Sequence, residues 1–296
     1  MIKISPEVVQ AINKQDPIVA LESTVITHGL PYPENLKIAI DMEKEIRGQG
    51  AVPATIAALR GEILVGMNSE QLEALVMEKD FIKLSVRDIS EAIVKRKSGG
   101  TPVAATLFLG YRAGLRVFAT GGIGGVHRGE SIDISSDLIQ LSRTPMVVVC
   151  AGAKAILDLP ATLELLETLG IPVIGYQTNE FPAFYSRSSG LKVSVRAESA
   201  EEIAEIARVH WELGMQSAVL VVQPLADKLA IPYDEVQVAI DQAVNEATVK
   251  GIRGQKVTPY LLGRVSELTG GKSLEANLAL LINNARLAAK IAAALH

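Results

Sequence analysis

The chain has 296 residues, 48% of them hydrophobic and 21% charged, with a formal net charge of −4. A chain of this size buries roughly 75% of its unfolded surface, enough for one large core, and slight acidity without Lys/Arg runs argues against a nucleic-acid polymer as partner. A single cysteine, Cys150, excludes an intrachain disulfide, and the absence of a signal-peptide h-region or an uninterrupted apolar span of membrane length leads us to expect a cytoplasmic protein without membrane contact.

The first apolar run, Ile18-Val19-Ala20-Leu21, carries Glu22 at its polar end. Gly99-Gly100-Thr101-Pro102-Val103 predicts a helix start, with Thr101 as N-cap, Pro102 at the first helical position and Val103 opening the helix. A free backbone N–H at such a start suits an anion. Residues 121–125 hold four glycines in five positions, which predicts a turn with exposed backbone and N–H groups able to cradle an anion. The pattern is not G-x-G-x-x-G, so a dinucleotide site is not indicated. His127 and Arg128 add a titratable donor and a fixed positive fork beside it. Asp133 and Asp137, four apart, could share one face of a helical turn, either as ligands to a hard divalent cation or as solvated charges.

Residues 145–154 form an apolar run that ends Ala151-Gly152-Ala153-Lys154, reading as a strand buried on both faces. Ligands of open α/β sheets bind just past the carboxyl ends of strands. Lys154 there is either a lysine snorkelling to water or a desolvated amine able to attack a sugar carbonyl carbon. A helix is predicted over 160–169 with Gly170 as its stop, then a strand over 171–176. Ser199-Ala200-Glu201-Glu202 has the capping-box pattern for a helix ending at Gly214. A strand over 218–222 follows, and then helices over 233–250, 258–268 and 273–293. Asn277 and the Asn283-Asn284 pair interrupt the last helix's apolar surface, pointing to a polar pocket or a subunit contact. This alternation predicts α/β layering.

Several motifs resemble one family in order and over nearly the whole chain: residues 20–31, residues 50–57, the 121–129 stretch, Asp133 to Asp137, the Lys154 segment and residues 180–185. The chain resembles the pseudouridine-5'-phosphate glycosidases, also described as indigoidine-synthase-A-like. Ser136 and Asn179 are small departures, where the family often has alanine and aspartate. The resemblance implies a single-domain, three-layer α/β/α protein around a mixed central sheet, assembled as a homotrimer. It implies cleavage of pseudouridine 5'-phosphate to uracil and ribose 5-phosphate through an imine at ribose C1'. Lys154 is the implied nucleophile and Glu22 the proton donor. Lys83, Val103, Ser135, Ser136 and Asp137 are the implied substrate contacts, with Thr120, His127 and Asn277 as further polar contacts. Asp133 is the implied ligand of one Mn2+ per subunit. Two other readings fit the bare residues: an imine-forming sugar-phosphate lyase of the class I aldolase type, and a non-catalytic nucleotide-binding protein.

Overall fold

A computed structural model of the chain describes residues 2–29, 32–78, 80–128, 133–252, 254 and 257–296. Leu30 and Pro31 of the first motif, and Gly129 at the end of the glycine-rich one, lie outside the described residues. Along the chain come β1 (Ile2–Ile4), α1 (Pro6–Lys14), β2 (Ile18–Leu21), a π-helical turn (Val25–Gly29), α2 (Glu34–Gly48), β3 (Val52–Leu59) and β4 (Glu62–Val65). Next are α3 (Ser69–Met77), β5 (Phe81–Lys83), α4 (Ile89–Val94), β6 (Ser98–Gly100), α5 (Val103–Arg112), β7 (Val117–Ala119), β8 (Val126–His127) and α6 (Ser136–Leu141). The remainder is β9 (Val147–Cys150), β10 (Leu157–Asp158), α7 (Leu159–Thr168), β11 (Val173–Tyr176), β12 (Val195–Ala197), α8 (Ala200–Glu212), β13 (Val219–Val222), α9 (Tyr233–Val249), α10 (Val257–Leu268) and α11 (Lys272–Leu295).

The main sheet runs β1-β4-β3-β2-β7-β9-β13-β11-β12, with β6 on β3 and β5 beyond it. From β3 through β12 every pairing is parallel, whereas β4 and β6 pair antiparallel with β3. The sheet is therefore mixed, with helices on both faces. Parallel strands covered twice need apolar residues throughout, and β2, β9 and β13 are buried at every position. One contiguous core joins these strands to α5, α8 and α11, and a smaller cluster under α3 holds Ile26, Leu64, Leu72 and Leu75. Cys150 lies in the core as a small hydrophobe, burial pushing its thiol up to about 12.

Several sequence expectations shift locally. The strand expected over 145–154 ends at Cys150, four residues before Lys154. Pro102, not Thr101, occupies the N-cap position of α5, because the Thr101 hydroxyl donates to the Ile56 carbonyl (2.6 Å). α7 starts at Leu159, since Asp158 caps it by accepting from Ala161 N (2.9 Å). The capping box at Ser199 is only half made: Ser199 accepts from Glu202 N (3.2 Å), but the Glu202 carboxylate takes the Glu198 N–H (2.8 Å). α11 is long and apolar enough, by length and composition, to cross a membrane. Half of that stretch is buried, packed against the sheet, α2 and α8, so its hydropathy is accounted for by the core.

Candidate active site

β2, β7 and β9 are adjacent and parallel, with Leu21 level with Ala119 and Ala119 level with Val149. The next residues, Glu22 and Thr120, therefore emerge side by side at the carboxyl ends of β2 and β7. The Thr120 hydroxyl donates to Glu22 Oε1. Asn284 on α11 supports the same spot from beneath, donating from Nδ2 to the Thr120 carbonyl (2.8 Å). Past β9 the chain turns at Gly152, whose φ of +88 and closeness to the Pro182 carbonyl exclude a Cβ. An isolated bridge from Ala153 to Ile123, with Lys154 N donating to the Ile123 carbonyl (3.1 Å), then holds the Lys154 backbone. Among the described residues Lys154 forms no ion pair, which leaves its amine on a fixed base and free to meet a ligand.

Glu22, Lys154 and Lys83, the last residue of β5, line one cavity of about 70 Å³. Its other walls include Thr24, Val25, His28, Gly122, Phe184, Pro259, Leu262, Asn277 and Leu281. Grooves of about 540 and 750 Å³ elsewhere on the surface contain none of the converging groups, so chemistry rather than size identifies the site. Burial raises the Glu22 carboxyl above its ordinary range, and the charges of Lys154 and Lys83 with the Thr120 hydrogen bond oppose this only in part. Burial and the neighbouring Lys154 charge lower Lys83, against the pull of Asp137 and Glu22. The arrangement is a buried acid of raised pKa and an untied amine facing the same small space.

The remaining expected residues surround a second point, at the glycine-rich stretch. Residues 121–125 are buried rather than exposed, and none of the four glycines has positive φ. They are glycine for close approach. A Cβ at Gly124 would meet Ser135 Oγ at 2.3 Å, and one at Gly122 would meet the Phe184 ring at 2.7 Å. Protein partners take two of the N–H groups expected to cradle an anion: Ile123 N donates to Gly152 O (3.1 Å) and Gly124 N to Asp137 Oδ2 (2.8 Å), while Gly121 and Gly122 line the cavity.

Asp133 and Asp137 do not share a helical face. Asp133 precedes α6 in extended chain, its carbonyl accepting from His127 N (2.9 Å), and Ser135 caps the helix. Asp137 is buried, and its other oxygen accepts from Ala104 N (2.9 Å) at the start of α5. An anion does sit at that helix start, as its N-terminal position favours, but it belongs to the protein. The Val103 side chain is in the core, so any substrate contact there is through backbone. Ser135 and exposed Ser136 immediately precede Asp137. Burial lowers the pKa of His127, while Asp133 acts to raise it. Asp133 is exposed, and no three His, Cys, Asp or Glu converge as a metal cluster among the described residues. One exposed carboxylate fits a hard divalent ion that keeps most of its water.

Asn277 is brought to the cavity as expected, and Asn284 reaches the backbone beneath it, whereas Asn283 faces an outer groove. Residue-level reasoning missed His28, Thr24 and Phe184. Phe184 stood in a matched motif without a role, and its φ of 61 marks a constrained position at the cavity wall.

A relative from Solibacter usitatus (strain Ellin6076), named pseudouridine-5'-phosphate glycosidase, is 54% identical over 98% of both chains. One of the same name from Escherichia coli (strain K12) is 50% identical over 99% of this chain and 95% of its own. Among solved structures, an indigoidine synthase A-like protein from Thermotoga maritima superposes with TM-score 0.91 at 39% identity, covering 99% of this chain and 95% of that one. The prealnumycin C-glycosynthase AlnA, solved in complex with ribulose 5-phosphate, gives 0.92 at 38% identity, covering 100% and 97%. Because the family model for indigoidine synthase A like protein spans residues 7–294, taking in both points of the site, the chain belongs to that family.

Proposed function

We propose that the chain is a pseudouridine-5'-phosphate glycosidase, cleaving the bond between ribose C1' and uracil C5 to release uracil and ribose 5-phosphate. The observation that carries this reading is Glu22 and Lys154 on one cavity, a buried acid beside an untied amine, in a chain about half identical to full-length relatives of that name.

Once Lys154 has lost its ammonium proton to solvent, Glu22, whose protonated form burial favours, gives its proton to the ribose ring oxygen as the free Lys154 Nζ attacks C1', and the C1'–O4' bond breaks. The Glu22 carboxylate then takes the surplus proton from the new C1'–N ammonium and delivers it to uracil C5. The nitrogen lone pair forms C1'=N as the C1'–C5 bond breaks, so carbon can depart. Water adds to the imine, releasing ribose 5-phosphate and restoring both groups; one water is consumed per turnover. Thr120 holds the Glu22 carboxyl in place throughout.

Lys83 is assigned to the phosphate side, with the α5 start at Val103, Ser135, Ser136, Asp137 and His127 as further contacts and Asn277 on the cavity side. The pentose phosphate in AlnA's complex supports a sugar-phosphate ligand for this fold. Asp133 would hold a largely hydrated Mn2+, which would neutralise phosphate charge. A reducing cytosol and a homotrimer belong to the same proposal; the groove of about 410 Å³ bordered by Ile38, Leu278, Ala279 and Ile282 is a surface a subunit contact would cover. Incubation with pseudouridine 5'-phosphate and manganese, with uracil followed by chromatography, tests the reading. Uracil release at a rate well above that from unphosphorylated pseudouridine is expected, and no release from the phosphate overturns it.

A further inference from the structure

His28 belongs to no role described so far, yet it faces the cavity beside Glu22. It arrives there because residues 25–29 form a π-helical turn that begins just past Glu22, Ser23 and Thr24 at the β2 carboxyl end, a form that recurs at functional sites. Its hydrogen bonds define which nitrogen is open. Thr27 Oγ1 donates to the Ser23 carbonyl (3.2 Å), and a carbonyl can only accept, so the one hydroxyl proton of Thr27 is used. The 2.7 Å contact between Thr27 Oγ1 and His28 Nδ1 then needs its proton from the ring. Of the two neutral tautomers of His28, the Nδ1–H form is the one that keeps both Thr27 contacts, and it leaves Nε2 with a lone pair.

Among the described residues, Nδ1 is the ring atom with a hydrogen-bond partner. Phe81 packs edge-on to the imidazole with centroids 5.0 Å apart and fixes its plane. Burial first, and then the Lys83 charge, lower the His28 pKa, so the ring stays neutral at neutral pH. Val25, Phe184, Pro259, Leu262 and Leu281 make the surrounding wall apolar, and the buried Thr24 hydroxyl on the same wall lacks a partner among the described residues. A flat, uncharged ring with N–H and C=O edges matches that lining.

We propose that His28 Nε2 accepts a hydrogen bond from the N1–H of the pyrimidine, so that the enzyme requires a carbon-linked base with a free N1–H. The inference rests on the glycosidase reading above. When C5 takes its proton, positive charge falls on N1 through C6, and an acceptor at N1–H stabilises that state. Uridine 5'-phosphate, whose N1 carries the sugar, has no such hydrogen to offer. Placing it in the site would leave a desolvated acceptor unpaired, the kind of mismatch that discriminates most strongly between analogues.

The test compares kcat/KM for pseudouridine 5'-phosphate and its N1-methyl derivative in three proteins. Wild type should prefer the parent by at least about 100-fold. His28→Ala, which removes the acceptor and opens space for the methyl group, should bring the two substrates within about 10-fold, through loss on the parent. His28→Gln, with Oε1 near the place of Nε2, should restore the preference. Equal wild-type cleavage of both substrates overturns the inference, as does His28→Ala retaining the full wild-type discrimination. Failure of the wild type to release uracil from the parent overturns the glycosidase reading and this inference with it, and so separates the two failures.

Discussion

Thr120 donates its hydroxyl to the Glu22 carboxyl across the carboxyl ends of two neighbouring parallel strands, and so fixes the buried acid by the sheet register itself. The contact lowers the Glu22 pKa, but burial acts the other way and prevails, so the acid is held protonated above the ordinary carboxylate range. Mechanism and pH dependence both follow from that balance.

Glu22→Gln should lower kcat by about 10²–10⁴-fold, the range typical of a general acid, without loss of fold. In the wild type, the neutral carboxyl contributes stability that is complete below the ordinary carboxylate range and is lost as pH rises through the raised folded value. The variant has no proton to lose there. Its melting temperature should therefore fall less than that of the wild type as pH rises. Parallel melting curves for the two proteins would contradict the buried-acid assignment.

Asp137 ties three segments together, accepting from Ala104 N and Gly124 N while its own N–H donates to Ser135 Oγ. Asp137→Ala leaves two enclosed N–H groups unpaired, each costing about 1–3 kcal/mol. A denaturant midpoint clearly below wild type, with an unchanged slope, is the expected result.

The glycine-rich stretch yields to a paired substitution. Gly124→Ala places a Cβ 2.3 Å from Ser135 Oγ and 2.7 Å from Asp137 Oδ2, and should destabilise by about 1–3 kcal/mol. Gly48→Ala, at the end of α2 with nothing within 4 Å of its Cβ, should instead be neutral or stabilise by up to about 1 kcal/mol. Thermal denaturation of both distinguishes close packing from turn propensity.

Asp133→Ala should weaken manganese binding in titration calorimetry and reduce activity while leaving the fold intact. If chelated, metal-free enzyme keeps full activity, the metal assignment is wrong.

The sequence made the chemistry more legible than its staging. Apolar runs at 18–21 and 145–154 marked central strands with Glu22 and Lys154 at their ends, where a parallel sheet gathers its ligands, although β9 stops at Cys150 and the chain turns before Lys154. The glycines of 121–125 were misleading because the same residue type serves turns and close contacts, and only the positions of Phe184 and Ser135 tell which. Spacing alone put Asp133 and Asp137 on one helical face; the cap at Ser135 breaks the helix between them. His28 stood in the matched 20–31 motif without a role, since one π-helical turn leaves no periodicity to say which way a side chain faces. β8 and β10 pair over two residues each, too few for any pattern to form.

The central claim is a covalent link between Lys154 and ribose C1', and borohydride trapping with peptide mass analysis tests it most directly. With pseudouridine 5'-phosphate and borohydride, the wild type should gain the mass of a reduced ribose phosphate on the peptide carrying Lys154. Lys154→Arg should gain none and should not turn over, because a guanidinium stays protonated and forms no imine. Label on Lys83 would exchange the roles of the two lysines. No label anywhere, together with turnover by Lys154→Arg, would contradict the imine mechanism outright.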